Sequence, residues 1–539
     1  MKGFADSRLA TYPPIATPVI ETEVHQRLRA YLREQGHTQW PHHLTMARLV
    51  ARALRVGRSA LMQTDSLAAY QGNHRLSYLM PALLWPEPAI LALPAAILET
   101  VLRQDIPNLQ QCLPVVKAVQ AGDRWPDNNF RGLLVTSAQG WLGDRLRAGH
   151  KFPAGIPTLI DGAGELERWA REQLSSSLSA KSWEALMLAY PGQQSFIRDM
   201  RVRITHAIFQ HPANPYGCHL IEEPEKTLLC ELYELLESDS GSGRMPKPWP
   251  QFWQRFSQPD RLAWSQPDRE SGSLVLRCGP SDIQGHLAPV WAQQPVVLMG
   301  AALDADTRAE RYRDRLGLGE MTCLSFGPDR HHDLVQLYLP DHLPMPNTSH
   351  FKAAVLQEIR SLLGARSIAD SPTVIVVGDV PLKAQIATIL AAEFGSRVQV
   401  EGAIAGDGIL ITGWEYWRSH QANFATPGLL IITTLPIPSL ENPLVAGRVA
   451  TYKRRRQDWF KAYLLPEALS ELQHAVAPVR SHPSPNGGVV ALLDNRVNYR
   501  SYGRHILAAL SPAARSSYLD AAWFNLSAPA STHRSSTNR

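Results

Sequence analysis

Two series of short apolar runs constrain the fold of this 539-residue chain more than any other feature. The runs are AILAL (89–93), GLLVT (132–136), PTLID (157–161) and PVVLM (295–299), then TVIVVGD (373–379), RVQVEG (397–402), GILIT (408–412), GLLIITTLP (428–436) and GGVVALLD (487–494). Near-continuous apolar runs of this length, separated by helical stretches, are typical of parallel strands that are covered on both faces. The sequence therefore predicts an α/β protein with two sheet domains, and the cleft between them is an expected ligand site.

A change in sequence character sets the predicted domain boundaries. Between residues 165 and 264 the strand-like runs give way to helical sequence rich in Leu, Glu and Arg. The predicted organisation is a first lobe over 1–164, a helical insertion over 165–264, the completion of the first lobe over 265–330, a second lobe over 331–515, and a tail over 516–539. The tail is polar, so we expect it to be disordered.

Composition and cysteine spacing narrow the function classes. The formal charge of +5 permits a polyanionic partner without requiring one. The cysteines stand singly, with no C-x-x-C pair, so neither a zinc site nor an iron–sulfur cluster is expected; they are Cys112, Cys218, Cys230, Cys278 and Cys323. The N-terminal residues lack the apolar core of a signal peptide, and prolines and glutamates interrupt the most apolar stretch, 79–102. We expect a cytoplasmic protein with no membrane partner.

A family resemblance emerges when the segments are read in order. The segments that carry it include RLSYLMPALL (75–84), AILALPAAILETVLRQDIPNL (89–109), LLVTSAQGWL (133–142), TLIDGAGELERWAREQL (158–174), GLLIITTLPIPSLENPLV (428–445), LLPEALSELQHAVAPVR (464–480) and GGVVALLDNRVNYRSYGRHILAALSP (487–512). Their order and spacing resemble those of DinG/XPD-type superfamily 2 DNA helicases. The resemblance implies two RecA-like parallel-sheet lobes, with an arch-like helical insertion in the first.

The phosphate-binding motif of such helicases is missing. ATP-driven members need a loop of backbone N–H groups around the phosphates, a lysine for the terminal phosphates and a hydroxyl on Mg²⁺. The pattern G-x-x-x-x-G-K-[ST] occurs nowhere in the chain. At the matching position the sequence is AAYQGNHR (68–75), in which Gly72 supplies flexibility, His74 replaces the lysine and Arg75 replaces the hydroxyl residue. An ordinary strand-to-helix connection explains this segment better than a nucleotide loop.

The carboxylate motif is reduced in the same way. The resemblance aligns the family's DEAH motif with 161–164, where Asp161 remains, Gly162 replaces the general base and Gly164 replaces the coupling histidine. The Ser-Ala-Thr coupling motif reads Gly-Ala-Ala at 300–302, and His43 stands where the adenine-reading glutamine is expected. An aspartate at a strand end before glycines is more often a turn or helix-cap residue than a metal ligand.

In the arginine-finger segment, only the two outer residues of the family pattern are present. The family pattern Q-x-x-G-R-x-x-R aligns with 473–480, where Gln473 and Arg480 match, and Val476 and Ala477 replace the glycine and the first arginine. The apolar positions that build the fold thus match the family, whereas the polar positions that carry out its chemistry do not. This favours a pseudoenzyme that binds nucleic acid, such as single-stranded DNA, or a partner protein between its lobes, without a cofactor.

A basic run offers a candidate nucleic-acid contact. Lys453, Arg454, Arg455 and Arg456 precede the aromatic pair at 459–460. Such a cluster can hold a phosphate backbone while an aromatic ring stacks on a base. A solvated helix face explains the composition equally well.

Two alternatives stay open on the sequence. One is a divergent but active ATP-dependent helicase, which uses ATP and Mg²⁺. In it Asp161 is the metal ligand, Arg480 is the finger, and Gly72, His74 and Arg75 face the phosphates. The other is a protein-interaction scaffold with no nucleic-acid role.

Overall fold

The structure is a computed structural model that describes residues 19–36, 40–239, 245–329, 333–365, 371–483, 487–520 and 523. Most of the predicted tail over 516–539 lies outside the described residues. Within the described part, no helix is both long enough and apolar enough to cross a bilayer.

Short strands follow the apolar runs closely. In chain order they are β1 (Ala60–Thr64), β2 (Ala89–Leu93), β3 (Val119–Ala121), β4 (Leu133–Ser137), β5 (Thr158–Asp161), β6 (Ser176–Leu178), β7 (His219–Leu220), β8 (Arg261–Asp268), β9 (Ser273–Pro280), β10 (Val296–Ala301), β11 (Thr322–Ser325), β12 (Val335–Tyr338), β13 (Thr373–Val376), β14 (Val398–Val400), β15 (Ile409–Thr412), β16 (Leu429–Ile432), β17 (Val489–Leu492) and β18 (Ala513–Ser516).

Helices connect and cover these strands. In chain order they are α1 (Ile20–Glu34), α2 (His43–Val56), α3 (Ser66–Gln71), α4 (Arg75–Leu84), α5 (Ala95–Thr100), α6 (Ile106–Gln110), α7 (Ala138–Leu146), α8 (Leu166–Leu174), α9 (Ala180–Ala189), α10 (Gln194–Gln210), α11 (Glu223–Asp239), α12 (Pro248–Phe256), α13 (Gln284–Trp291), α14 (Glu310–Leu316), α15 (Phe351–Ala365), α16 (Val380–Phe394), α17 (Trp414–His420), α18 (Pro443–Arg454), α19 (Leu465–Arg480), α20 (Arg496–Tyr499) and α21 (Gly503–Ala509).

Two all-parallel sheets form the two lobes. In the described residues each sheet has seven strands, in the order β11-β1-β10-β5-β2-β4-β3 in lobe 1 and β14-β15-β13-β16-β17-β12-β18 in lobe 2. Strands such as Ala89–Leu93 and Leu429–Ile432 are buried at every position, because apolar clusters cover both faces of each sheet. The predicted fold class, two RecA-like parallel-sheet lobes, is confirmed.

The insertion in lobe 1 is not purely helical. Strands β6 to β9 form an antiparallel sheet in the order β6-β9-β8-β7, and helices α9 to α12 pack with it around a separate core. Strands of two or three residues, such as β6 and β7, are too short to leave a periodic pattern, so the sequence did not indicate them. The β8–β9 hairpin runs from Arg261 to Pro280 and crosses the boundary that we drew at residue 264.

The insertion also contacts the second lobe. Helix α18 of lobe 2 packs against β7 and β8. The approach is close at Gly447, where an added Cβ would lie 2.3 Å from Cδ1 of Leu262. The insertion therefore fixes α18, the helix that ends in the basic run, beside the groove between the lobes.

Candidate functional site between the lobes

A short helix occupies the place where the resemblance puts a phosphate loop. Strand β1 ends at Thr64, Asp65 caps α3, and Gly72 ends that helix in the left-handed region at φ 75°. The Oδ1 atom of Asp65 accepts the N–H of Ala68 at 2.6 Å, and its Oδ2 atom accepts the indole N–H of Trp40 at 2.8 Å. Asp65 is therefore an N-cap that holds α3 in place.

The backbone donors of this segment are committed to the helix and the turn after it. The N–H of Ala69 donates to the carbonyl of Asp65 at 3.2 Å, and the N–H of Asn73 donates to the carbonyl of Ala68 at 2.9 Å. The N–H of Gly72 donates to the carbonyl of Ala69 at 3.2 Å. A phosphate cradle needs such groups to point at the ligand, and here they point at carbonyls of the chain.

His74 and Asp161 form a buried pair. Nε2 of His74 lies 3.0 Å from Oδ1 of Asp161, and the hydroxyl of Tyr78 donates to Oδ2 at 2.8 Å. The backbone N–H of Gly162 donates to Oδ1 at 2.7 Å, and His74 and Asp161 are 3% and 4% exposed. Both carboxylate oxygens therefore have protein partners.

Charge and hydrogen bonding favour the ionised forms of this pair and oppose the effect of burial. Burial alone raises the pKa of Asp161, but the charge of His74 and the hydrogen bonds from His74, Tyr78 and Gly162 outweigh it and lower the pKa. Burial likewise lowers the pKa of His74, and the negative charge of Asp161 outweighs it and raises the pKa. Each residue stabilises the charged form of the other.

Arg75 covers the helix end. A Cβ added to Gly72 would lie 2.5 Å from the guanidinium carbon of Arg75, and Nη1 of Arg75 is 3.5 Å from Oδ2 of Asp105 in the same lobe. Its charge is therefore engaged inside lobe 1.

The base position of the DEAH-like segment is closed by packing. Gly162 has φ 76°, and an added Cβ would lie 2.7 Å from Cγ of Pro94 and 3.1 Å from Trp169. At Gly300, on the neighbouring strand, an added Cβ would meet Ala163 at 3.0 Å. Larger residues at these positions require the segment to move, so the glycines belong to the packing of this region.

Arg480 is held by lobe 2 instead of reaching across the cleft. It is 8% exposed and donates to the carbonyl of Leu510 at 2.6 Å, to that of Pro512 at 2.9 Å, and to that of Asp333. Burial lowers the pKa of Arg480 to about 10. Gln473 donates to the carbonyl of Ala509 at 3.3 Å. These contacts assign Arg480 a structural role in joining the end of α19 to the loops after α21 and before β12.

The lobes approach each other directly at this place. Helix α19 of lobe 2 packs on α3 of lobe 1. A cavity of about 310 Å³ remains beside them, and Thr64, Asp65, Asp304, Gln473 and Arg480 are among its lining residues. This volume is at the small end of the range for ligand pockets.

These residues do not fit a magnesium-bound triphosphate. Asp161, the candidate metal ligand, accepts hydrogen bonds at both oxygens, and the imidazole at the lysine position is turned into the protein. Among the described residues, no group of three or more His, Cys, Asp or Glu side chains is arranged to hold a metal ion.

Similar proteins were found by sequence and by structure. No family model matches the sequence. Over 111 residues the chain is 32% identical to the ATP-dependent DNA helicase YoaA of Escherichia coli (strain K12), a match that covers 21% of this chain and 17% of that protein. An XPD helicase structure has a TM-score of 0.57 at 10% identity and covers 88% of this chain and 99% of that one. For Xpd4 of S. tokodaii the TM-score is 0.56 at 12% identity, covering 88% and 100%.

This chain resembles the DinG/XPD-type helicases. The structural likeness establishes the fold, and the YoaA match supports the same relationship by sequence. The predicted resemblance is thereby confirmed. The matched segment spans less than a fifth of YoaA, so YoaA's activity is not transferred by this match.

The basic run of this helicase-like chain lies on the surface at the end of α18. All four residues from Lys453 to Arg456 are exposed. Lys453 lies over the ring of Trp459 at 5.5 Å, and Arg455 pairs with Asp282 of lobe 1 at 2.8 Å. Arg454 donates to the hydroxyl of Thr451 at 3.1 Å.

A second inter-lobe cavity opens next to this run. It has a volume of about 300 Å³, and its lining includes Arg171, Arg311, Tyr452, Arg455 and Lys461. Carboxylates of Glu167, Asp282, Asp314 and Asp458 share the same lining. The cavity thus combines cations, carboxylates and an aromatic ring at the junction of the two lobes.

Sequence reasoning missed the charged contacts between the lobes. Arg418 of α17 pairs with Glu165 of lobe 1 at 2.5 Å, and Arg315 of α14 pairs with Glu467 of α19 at 2.9 Å. Each residue lies in an ordinary amphipathic or charged helical stretch, where a charge predicts a solvated face. Nothing in the sequence indicated that these residues meet.

Proposed function

We propose that this chain is a DinG/XPD-type helicase homologue that does not hydrolyse ATP and that binds single-stranded nucleic acid in the groove between its lobes, as a scaffold. The observation that carries the first part is the burial of His74 against Asp161. The resemblance puts the phosphate-binding lysine at one of these positions and the metal ligand at the other.

The energetics argue against nucleotide binding at this place. To ligate Mg²⁺, Asp161 must give up hydrogen bonds from His74, Tyr78 or Gly162. Separating a buried, paired charge from its partner costs roughly 3–5 kcal/mol. The N–H groups of Ala69, Gly72 and Asn73 must also leave their carbonyls before they can reach a phosphate. A bound nucleotide would have to repay both costs.

The test of this part is a melting experiment on the full chain. We expect no Mg-ATP-dependent rise in melting temperature and no phosphate release above a protein-free blank, with or without single-stranded DNA. A ligand at about 100 times its Kd stabilises a protein by roughly 2.7 kcal/mol, which such an experiment detects.

A restoration variant makes the same test sharper. The double substitution His74→Lys and Arg75→Thr introduces the lysine and the hydroxyl of the family motif. The backbone donors of the segment stay in α3, so we expect this variant to have no ATPase activity. A Mg-ATP-dependent melting shift or turnover by the unaltered chain would instead support the active-helicase alternative.

The nucleic-acid part is supported by the surface beside the groove. Lys453, Arg454 and Arg456 are exposed at the end of α18, and they adjoin the cavity that Arg311 and Lys461 line. Trp459 lies beside Lys453 and offers a partly exposed ring. A row of cations beside an aromatic ring suits a phosphate backbone with unstacked bases.

Salt dependence tests this part. Single-strand binding weakens with salt with a slope of about −0.7 for each phosphate contact in a log–log plot. We expect a Lys453→Ala, Arg454→Ala, Arg456→Ala variant to reduce the slope by roughly 2, provided each cation meets one phosphate. The matched control removes the same charge from exposed Arg27, Arg29 and Arg33 on α1, and its slope should equal that of the unaltered chain.

The salt titration also distinguishes a nucleic-acid-binding protein from a protein-interaction scaffold. Absence of salt-dependent binding to single-stranded DNA and RNA would overturn the nucleic-acid part and favour a protein-interaction scaffold. The prediction on ATP would be unaffected, since it depends on His74 and Asp161.

A further inference from the structure

Two arginines each join carboxylates of both lobes. Arg418 of lobe 2 contacts Glu165 of lobe 1 at 2.5 Å and Glu471 of its own lobe at 3.2 Å. Arg315 of lobe 1 contacts Glu467 of lobe 2 at 2.9 Å and Glu167 of its own lobe at 3.3 Å. Each lobe thus provides one arginine, and each arginine lies between a carboxylate from either side. We name this set the arginine latch; it comprises Glu165, Glu167, Arg315, Arg418, Glu467 and Glu471.

The latch lies on well-supported elements. Glu165 and Glu167 follow strand β5 at the start of α8, and Glu467 and Glu471 are one helical turn apart on α19. Residues four apart share a helix face, so both carboxylates of α19 point toward lobe 1. Each arginine therefore contacts one carboxylate of α19 and one from the segment after β5.

Partial burial makes these contacts stronger than ordinary surface pairs. The side chains of Arg315, Glu167 and Glu471 are 15%, 17% and 16% exposed. Exposed ion pairs contribute little because water and salt screen them, whereas removing one partner of a desolvated pair leaves an uncompensated charge. Separation of the lobes would break the contacts Arg418–Glu165 and Arg315–Glu467, and it would leave Glu467 without an arginine partner.

A ligand normally holds two hinged domains together, because its differential contacts favour the closed state. In this chain α3 and α19 pack on each other at the region that the resemblance assigns to a nucleotide. The latch lies near α19: Gly164, next to Glu165, would place an added Cβ 3.9 Å from His474 of α19. Glu167 and Arg315 also line the second inter-lobe cavity, so protein charges bridge the lobes beside it.

We propose that the arginine latch keeps the two lobes closed without any ligand, so that the chain presents one fixed inter-lobe groove. The inference goes beyond the proposed function, and its test involves neither nucleotide nor nucleic acid. ATP binding, or a lack of DNA binding, would contradict the proposed function without contradicting the latch.

The test is a single-molecule distance measurement on the full chain. Fluorophores are attached through non-natural amino acids at exposed Val115 in lobe 1 and exposed Val400 in lobe 2. The unaltered chain should give one narrow distance distribution. In the Arg315→Gln, Arg418→Gln variant we expect the open fraction to rise about tenfold or more, since the buried carboxylates lose their partners.

The matched control is Arg168→Gln. Arg168 also pairs with Glu165, at 2.6 Å, but its other contact, with Glu172 at 2.8 Å, lies in lobe 1 as well. The control removes the same charge from the same carboxylate without removing a bond between the lobes, so its distribution should remain that of the unaltered chain.

A salt titration of the unaltered chain gives a second readout in case the double variant does not fold. The open fraction should rise between 0.1 M and 1 M salt, because Glu467 is 40% exposed and the Debye length falls from about 10 Å to about 3 Å over this range. An unaltered chain with a broad distribution at low salt would overturn the proposal. So would a folded double variant as narrow as the control, because packing would then hold the lobes.

Discussion

At the residue scale, His74 stands where the resemblance expects a lysine, and it gives Asp161 a buried hydrogen-bond partner. A lysine at position 74 would carry its charge outward on a flexible stem, whereas the imidazole reaches back to Oδ1 of Asp161 at 3.0 Å. Tyr78, one helical turn later, donates to the other carboxylate oxygen. The position that the resemblance assigns to a metal-binding carboxylate is therefore the acceptor of a buried hydrogen-bond cluster.

This cluster predicts a large stability effect. We expect His74→Ala to lower the free energy of unfolding by roughly 3–5 kcal/mol, because it leaves the charge of Asp161 buried without its cation. Denaturant unfolding followed by tryptophan fluorescence measures the change. Adding Asp161→Asn to His74→Ala should recover part of the loss; a double variant that costs the sum of the single ones would argue against the pairing.

At the element scale, the first helix after β1 decides how the candidate site is built. Helix α3 exists because Asp65 satisfies the N–H of Ala68 and Gly72 ends the helix with positive φ. The segment was predicted as a strand-to-helix connection, but a six-residue helix within it leaves no readable period. Its packing on α19 then leaves a cavity of about 310 Å³ between the lobes at this point.

The cap offers a test at this scale. We expect Asp65→Ala to cost roughly 2–4 kcal/mol of unfolding free energy, since it removes an N-cap and leaves the indole N–H of Trp40 unpaired. The matched control is Asp379→Ala, the N-cap of α16, where the side chain accepts one bond from Leu382 at 2.7 Å. The control should cost about 1 kcal/mol; equal losses would mean that the Trp40 contact contributes nothing.

At the scale of the whole molecule, charges between the lobes couple stability to pH. Burial raises the pKa of Glu471 to about 7; the charges of Glu467 and Glu165 act in the same direction, and Arg418 opposes them. Burial and the charge of Arg418 lower the pKa of the neighbouring His474 to about 4. The two groups therefore act with opposite sign in an overlapping window.

The sign of the Glu471 contribution follows from its raised pKa. Its stabilising contribution is complete below the ordinary glutamate pKa of 4.5 and is lost as pH rises through about 7. We expect Glu471→Gln to lose less stability than the unaltered chain between pH 5 and pH 8, measured as melting temperature across that range. Glu165→Gln is the contrasting control: the pKa of Glu165 is lowered, because Arg418 outweighs burial, so its contribution is lost as pH falls. Parallel pH profiles for Glu471→Gln and the unaltered chain would contradict the prediction.

The sequence by itself determined the two-sheet architecture and showed which residues of the family's motifs are absent. Apolar runs such as 89–93 and 429–432 could be assigned to buried parallel strands because their period and length depend on local residues alone. The absence of the phosphate-loop lysine and of the general base could be read directly, since each is a matter of residue identity. The short strands of the insertion escaped prediction because a two- or three-residue strand is defined by its partner across the sheet.

Only the tertiary structure decided what the remaining polar residues do. Asp161 and Arg480 looked like survivors of a reaction centre, yet one pairs with His74 and the other binds carbonyls of its own lobe. Nothing in the sequence singled out Arg315 or Arg418, yet each bridges the lobes. The physical reason is that a charge interacts with the groups within a few ångströms of it, and folding brings these neighbours from 30 to 253 positions away along the chain.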